Sequence, residues 1–162
     1  MALNVKAALP VAVGRRARRV VEYRNILVPL WDRGAGAQAM AIACRLAAER
    51  HSSVTALAVI EVPAELPLES HMFDEEADAK HVLGDAAAIG DLYGIQIVQR
   101  MVRARMAGEA VVDEAKASSS EIIVLSAPRR GQRRRRIFGT TVDFVLKHAG
   151  CRVMVAALPE QP

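Results

Sequence analysis

EIIVLSAPRRGQRRRRIFGTTVDFV, residues 121–145, is the stretch on which the fold reading turns. After Glu121 the residues Ile122, Ile123, Val124 and Leu125 are all apolar, a run short enough for a buried strand and too short for a helix. The run breaks at Pro128 into a loop carrying Arg129, Arg130, Arg133, Arg134, Arg135 and Arg136, and a helix is expected to open at Gly139-Thr140-Thr141. A strand that passes through a basic loop into a helix start is a place where an anion is favoured. The first N–H groups of the helix, the positive end of its dipole, the threonine hydroxyls and the arginines would all act at one point.

Outward from that stretch, apolar strands alternate with helical patterns. NILVPL, residues 25–30, reads as a buried strand whose last residues leave the hydrogen-bond ladder at Pro29. Residues 35–50 are alanine-rich at helical spacing, and SVTALAVIEV, residues 53–62, is a second buried strand. A proline-punctuated loop over residues 63–69 leads to an acidic amphipathic helix over 70–92. Residues 94–103 hold a third strand and 108–118 a shorter helix; 121–125, 138–148 and 152–157 complete strand, helix and strand. Such alternation predicts an α/β fold with a parallel sheet, ligands being held beyond the carboxyl ends of the strands. Pro29, Ile60 and Ser126 should therefore converge.

With 162 residues and 52% hydrophobic content the chain suits one domain, and with 4% aromatics its core must be aliphatic. We divide it into a basic, flexible arm over residues 1–22, a domain over 23–158 and a tail over 159–162. The net charge of +4 is unevenly spread. Residues 1–24 carry six basic and one acidic residue, whereas residues 25–128 carry eight basic and fifteen acidic. The sequence pI of about 9.5 thus belongs to an arm and a loop on an acidic body, which argues against a nucleic-acid binder. Cys44 and Cys151 read as free thiols, and His51, His71, His81 and His148 as surface or helix-end residues without ligand spacing. The apolar runs fall short of the roughly 20 residues a membrane helix needs, so a cytoplasmic chain is expected.

The order of elements, with NILVPL first, Gly139-Thr140 opening the helix after the fourth strand and VLKHAGCRVMVAA at the end, resembles the universal stress protein family over about residues 23–158. The resemblance implies an open five-stranded parallel sheet of order 3-2-1-4-5 with helices on both faces, a Rossmann-like adenine-nucleotide fold, with ATP or AMP as ligand. It implies a nucleotide site made of Pro29, Leu30, Trp31, Asp32, Val59, Ser126, Ala127, Arg129, Arg130, Gly139, Thr140 and Thr141. The family's phosphate motif is glycine, two residues, glycine, nine residues, glycine, then serine or threonine. Gly139-Thr140 matches its end, while Ser126 and Arg129 stand at the first two glycines. Trp31 replaces the acidic residue that follows the family's first strand, with Asp32 one position later; ribose and metal contacts are left open by this. The resemblance also implies a homodimer paired through residues 152–157. VGRRARRVVEYR, residues 13–24, resembles the basic connector by which some such domains are joined to amino-acid permeases, and its arginines would also be drawn to an anionic membrane surface.

Other readings of the same residues stand beside these. Gly139-Thr140-Thr141 can serve as an N-cap alone, worth about 1 kcal/mol without any ligand. The arginine run can be a solvated, self-repelling loop, and Trp31 can pack on the helix that follows it. No Ser/His/Asp set, paired carboxylates or metal-ligand spacing suggests an enzyme. Three functions remain: a nucleotide-binding sensor, a nucleotide-free dimeric interaction module, and a cytosolic regulatory domain of an amino-acid permease or other transporter.

Overall fold

Asn25–Leu30 is apolar after its first residue because it forms the central strand, β1, covered on both faces. A computed structural model describes residues 23–31, 33–127 and 139–157. The basic arm, the arginine run and the carboxyl-terminal tail therefore lie outside the described residues. β1 is followed by α1 (Arg33–Ala48), β2 (Ser53–Glu61), α2 (Phe73–Leu92), β3 (Ile97–Ala104), α3 (Ala107–Ala117), β4 (Ile122–Ser126), α4 (Thr140–His148) and β5 (Arg152–Ala156). All strand pairs are parallel, as the alternation of strands and helices predicts, and the sheet order is β3-β2-β1-β4-β5, as the resemblance implies.

Alternate residues of the inner strands feed two separate cores. Ile26, Val28, Val54, Ala56, Ile122 and Val124 pack under α1 and α2, where Ala39, Met40, Ala43 and Cys44 of α1 lie fully buried. Leu27, Leu57, Ile123 and Leu125 face Val111 and Val112 of α3 and Val142 and Val145 of α4. Small alanine side chains one turn apart let α1 lie close on the sheet. The core is aliphatic throughout, and each buried Ile or Leu contributes about 1.5–3 kcal/mol.

Backbone direction explains the sheet's one break. The Arg24 carbonyl accepts from Ser53 N–H at 2.8 Å and the Asn25 carbonyl from Glu121 N–H at 2.9 Å. Even-numbered residues of β1 thus turn their backbone groups to β2 and odd-numbered ones to β4. Pro29 is odd-numbered and has no N–H to give β4. Accordingly β1 pairs with β2 as far as Leu30↔Ala58, but with β4 only as far as Leu27↔Ile123. The strands part at their carboxyl ends, at the point where the strand order reverses, and such a crevice is where open α/β sheets hold ligands. The proline expected to end the ladder ends it on one side only.

Candidate functional site

Three features meet beyond that end of the sheet. A cavity of about 500 Å³ is lined by Leu30 and Trp31 from the end of β1, by Val59 and Glu61 from β2, and by Gly139, Thr140 and Thr141 from the start of α4. Its volume falls in the range of about 300–1,000 Å³ usual for small-molecule sites. Glu75, Asp78 and Val82 of α2 and Ala107 of α3 also contribute to the wall.

Gly139 sets the geometry of the α4 start. Its φ of 83° and ψ of 169° belong to a region that essentially only glycine enters. As the N-cap residue it offers no side-chain acceptor to the helix, and no side-chain cap bond is made there. The first helical N–H groups therefore lack the partner that a Ser, Thr or Asp cap would supply. They begin a helix whose first residues line the cavity, and the positive end of the dipole goes with them.

A chain of polar contacts holds the acidic wall in place. Arg105, just beyond β3, donates from Nη1 to the Val62 carbonyl at 3.0 Å and to the Pro63 carbonyl, and from Nη2 to the Leu66 carbonyl at 2.8 Å. This clamps the loop that leads into α2. Arg103 pairs with Glu76 in the first turns of α2, and Glu76 also accepts from the Met72 N–H at 3.3 Å. The Arg103 guanidinium, followed by the Met72 amide, holds the Glu76 carboxyl below its ordinary range against an opposing push from burial. Glu75 and Asp78, three residues apart on one helical face, line the cavity beside this anchored turn. Glu61 accepts from the Ala107 N–H at 2.7 Å.

The structure brings six of the sequence-predicted site residues to one cavity: Leu30, Trp31, Val59, Gly139, Thr140 and Thr141. Pro29 lies within the strand, opposite Leu57, and shapes the crevice through its missing donor rather than lining the wall. Ser126 is buried at the end of β4, and its Oγ has no hydrogen-bond partner among the described residues. Ala127 follows, its N–H donating to the Ala156 carbonyl at 2.7 Å. Asp32, Arg129 and Arg130 lie outside the described residues. Trp31 is 37% exposed and stands at the cavity instead of sinking into the core.

Sequence reasoning did not single out Glu61, Glu75, Asp78, Arg103 or Arg105. A Glu-x-x-Asp pair near the start of an α2 helix that follows β2 was the available signal for two of them. Among the described lining residues the charged side chains are all carboxylates. No group of three or more His, Cys, Asp or Glu side chains among the described residues could hold a metal ion, and no described helix is long and apolar enough to cross a membrane. Cys44 and Cys151 are free, and burial pushes both thiols up, away from the reactive thiolate.

Residues 22–157 match the family described as the universal stress protein family. The chain belongs to that family. Solved universal stress proteins share its fold at low sequence identity. The protein UspA from Lactobacillus plantarum is 24% identical, with a TM-score of 0.67 over 83% of this chain and 98% of that one. A universal stress protein solved in complex with cAMP is 17% identical, with a TM-score of 0.68 over 84% and 98%. One from Archaeoglobus fulgidus, solved with dAMP, is 19% identical, with a TM-score of 0.65 over 83% and 98%. A comparison with curated proteins finds no match.

Proposed function

We propose that this universal stress protein domain binds an adenine nucleotide, ATP or AMP, and acts as a regulatory sensor in which binding is the function. The observation that carries the reading is the start of α4. A glycine in a glycine-only conformation opens an uncapped helix at the wall of a cavity large enough for a nucleotide. Trp31, Leu30 and Val59 offer the apolar surface a base needs, Thr140 and Thr141 supply hydroxyls, and the unpartnered Ser126 Oγ is a further donor at the end of β4. Two relatives of the same fold were solved with cAMP and dAMP, which supports an adenine ligand here. The phosphate motif is degenerate at Ser126 and Arg129, and the arginines that follow Pro128 in the sequence are the candidates to offset the carboxylates of the wall.

That acidic wall favours a second reading, an interaction module that dimerises without nucleotide. Glu61, Glu75 and Asp78 would each repel a phosphate. The basic arm suits a further role in either case, as a link to a membrane transporter such as an amino-acid permease or as a contact for anionic lipid. Titration calorimetry with AMP, ATP and cAMP separates the first two readings. Saturable binding below millimolar concentration supports the sensor; the absence of heat from all three overturns it and leaves the module. Mass spectrometry of whatever small molecule the purified protein retains checks the result independently.

A further inference from the structure

A second cavity of about 310 Å³ adjoins the first on the side of α3 and α4. The two share Glu61, Ala107, Thr140 and Thr141, so the start of α4 stands between them as a common wall. The second cavity has a different chemistry. Gly108 lets α3 approach Phe144 so closely that a Cβ there would lie 2.9 Å from the ring. His148 stacks on that same ring, with centroids 4.1 Å apart and planes 22° from parallel. Its Nδ1 lies 2.8 Å from the Phe144 carbonyl, which fixes the ring's orientation. Met106, 49% exposed, immediately precedes α3, and Lys147 and Asp143 add a cation and a carboxylate to the lining.

We propose that the groove formed by both cavities takes a dinucleotide, a nucleotide whose phosphate is linked onward to a second ring-bearing nucleoside. The inference rests on the nucleotide reading of the first cavity and extends it. One base lies against Trp31 and Val59, the phosphates reach the α4 start between the chambers, and the second base stacks on the platform of His148 and Phe144. A thioether and two stacked rings fit a flat aromatic group, which carries π-faces and little charge. Lys147 can pair with an anionic linker, against the carboxylate of Asp143 in the same lining. A mononucleotide leaves the second chamber unused.

The test compares AMP, ADP-ribose and diadenosine diphosphate by calorimetry on the full chain. ADP-ribose matches the dinucleotide in its phosphates and charge but lacks the second base. The expected result is that diadenosine diphosphate binds about tenfold tighter than ADP-ribose, the lower part of what stacking one base on an aromatic side chain gives. His148→Ala and, separately, Met106→Ser should reduce that advantage without altering AMP binding. Equal affinity for diadenosine diphosphate and ADP-ribose, with AMP still bound, overturns this inference and leaves the nucleotide reading intact. An advantage that survives both variants places the second base elsewhere and also overturns it. If none of the three ligands binds, the nucleotide reading fails and the inference with it.

Discussion

The amide of Ala107, first residue of α3, donates to the carboxylate of Glu61, last residue of β2, at 2.7 Å. This bond ties the carboxyl end of a strand to the start of a helix on the next crossover, and it puts a negative charge between two cavities. Glu61→Gln keeps an acceptor and removes the charge, so the fold should lose little stability while nucleotide binding strengthens several-fold. Glu61→Ala removes the acceptor as well and should cost about 0.5–2 kcal/mol, as loss of a helix cap does. Thermal denaturation and calorimetry on the two variants separate the roles. A Gln variant that binds nucleotide more weakly than wild type would mean that the carboxylate serves the ligand.

Gly139→Ala tests the α4 start. A Cβ at φ 83° and ψ 169° is strained by about 1–3 kcal/mol. The melting temperature should fall, and adenine-nucleotide binding should fall further than stability alone explains, since relief of the strain turns the helix's first N–H groups. Unchanged nucleotide affinity in a folded Gly139→Ala protein would move the phosphate away from α4.

The fold was legible because each strand announces itself locally. NILVPL, SVTALAVIE and IIVLS are apolar runs of strand length, and the helices between them carry alanine or valine at helical spacing. Pro29 could be read as a ladder breaker, but which neighbour it fails depends on whether residue 29 faces β2 or β4, and that parity exists only once three strands are paired. The acidic wall was hidden for a similar reason. Glu75 and Asp78 look like any solvated helical face, and only the Arg103 and Arg105 contacts, reaching from β3 to α2 and its preceding loop, show why they stand at the cavity.

Arg129→Ala should weaken nucleotide binding by about tenfold or more, the usual loss for a charge-assisted hydrogen bond. The reason is the imbalance at the cavity, whose described charged lining residues are Glu61, Glu75 and Asp78, while the arginine run follows Ala127 in the chain. Arg129→Gly discriminates further. Tighter binding in that variant would show that the arginine stands where a glycine is wanted, and would remove its proposed role.

Acid should act through Glu76. Its carboxyl is held below the ordinary value chiefly by Arg103, so its folded pKa lies under its unfolded one of about 4.3. Such a group stabilises the fold above the unfolded value and loses that contribution as pH falls through the folded value. Glu76→Gln should therefore melt below wild type at neutral pH, by a small margin because solvent screens the pair. The margin should close as the pH drops below about 4.3. A difference that stays constant down to strong acid would assign the effect to packing and not to charge.

The last prediction concerns the outer edge of β5. Arg152 N–H donates to the Glu121 carbonyl at 3.3 Å and the Ala156 carbonyl accepts from Ala127 N–H at 2.7 Å, so even-numbered residues of β5 face β4. The backbone groups of Val153 and Val155 point the other way, to an edge unpaired among the described residues. Exposed edges of this kind invite a second chain, and a homodimer through residues 152–157 would hide them. Val155→Pro removes an outward donor without touching the β4 ladder, and proline is tolerated at such positions. The variant should sediment as a monomer and retain a cooperative melting transition. Met154→Pro is the control, because its N–H faces β4, so that it should disrupt the β4–β5 ladder and lower the melting temperature far more. Wild-type protein that sediments as a monomer at high micromolar concentration would rule the interface out.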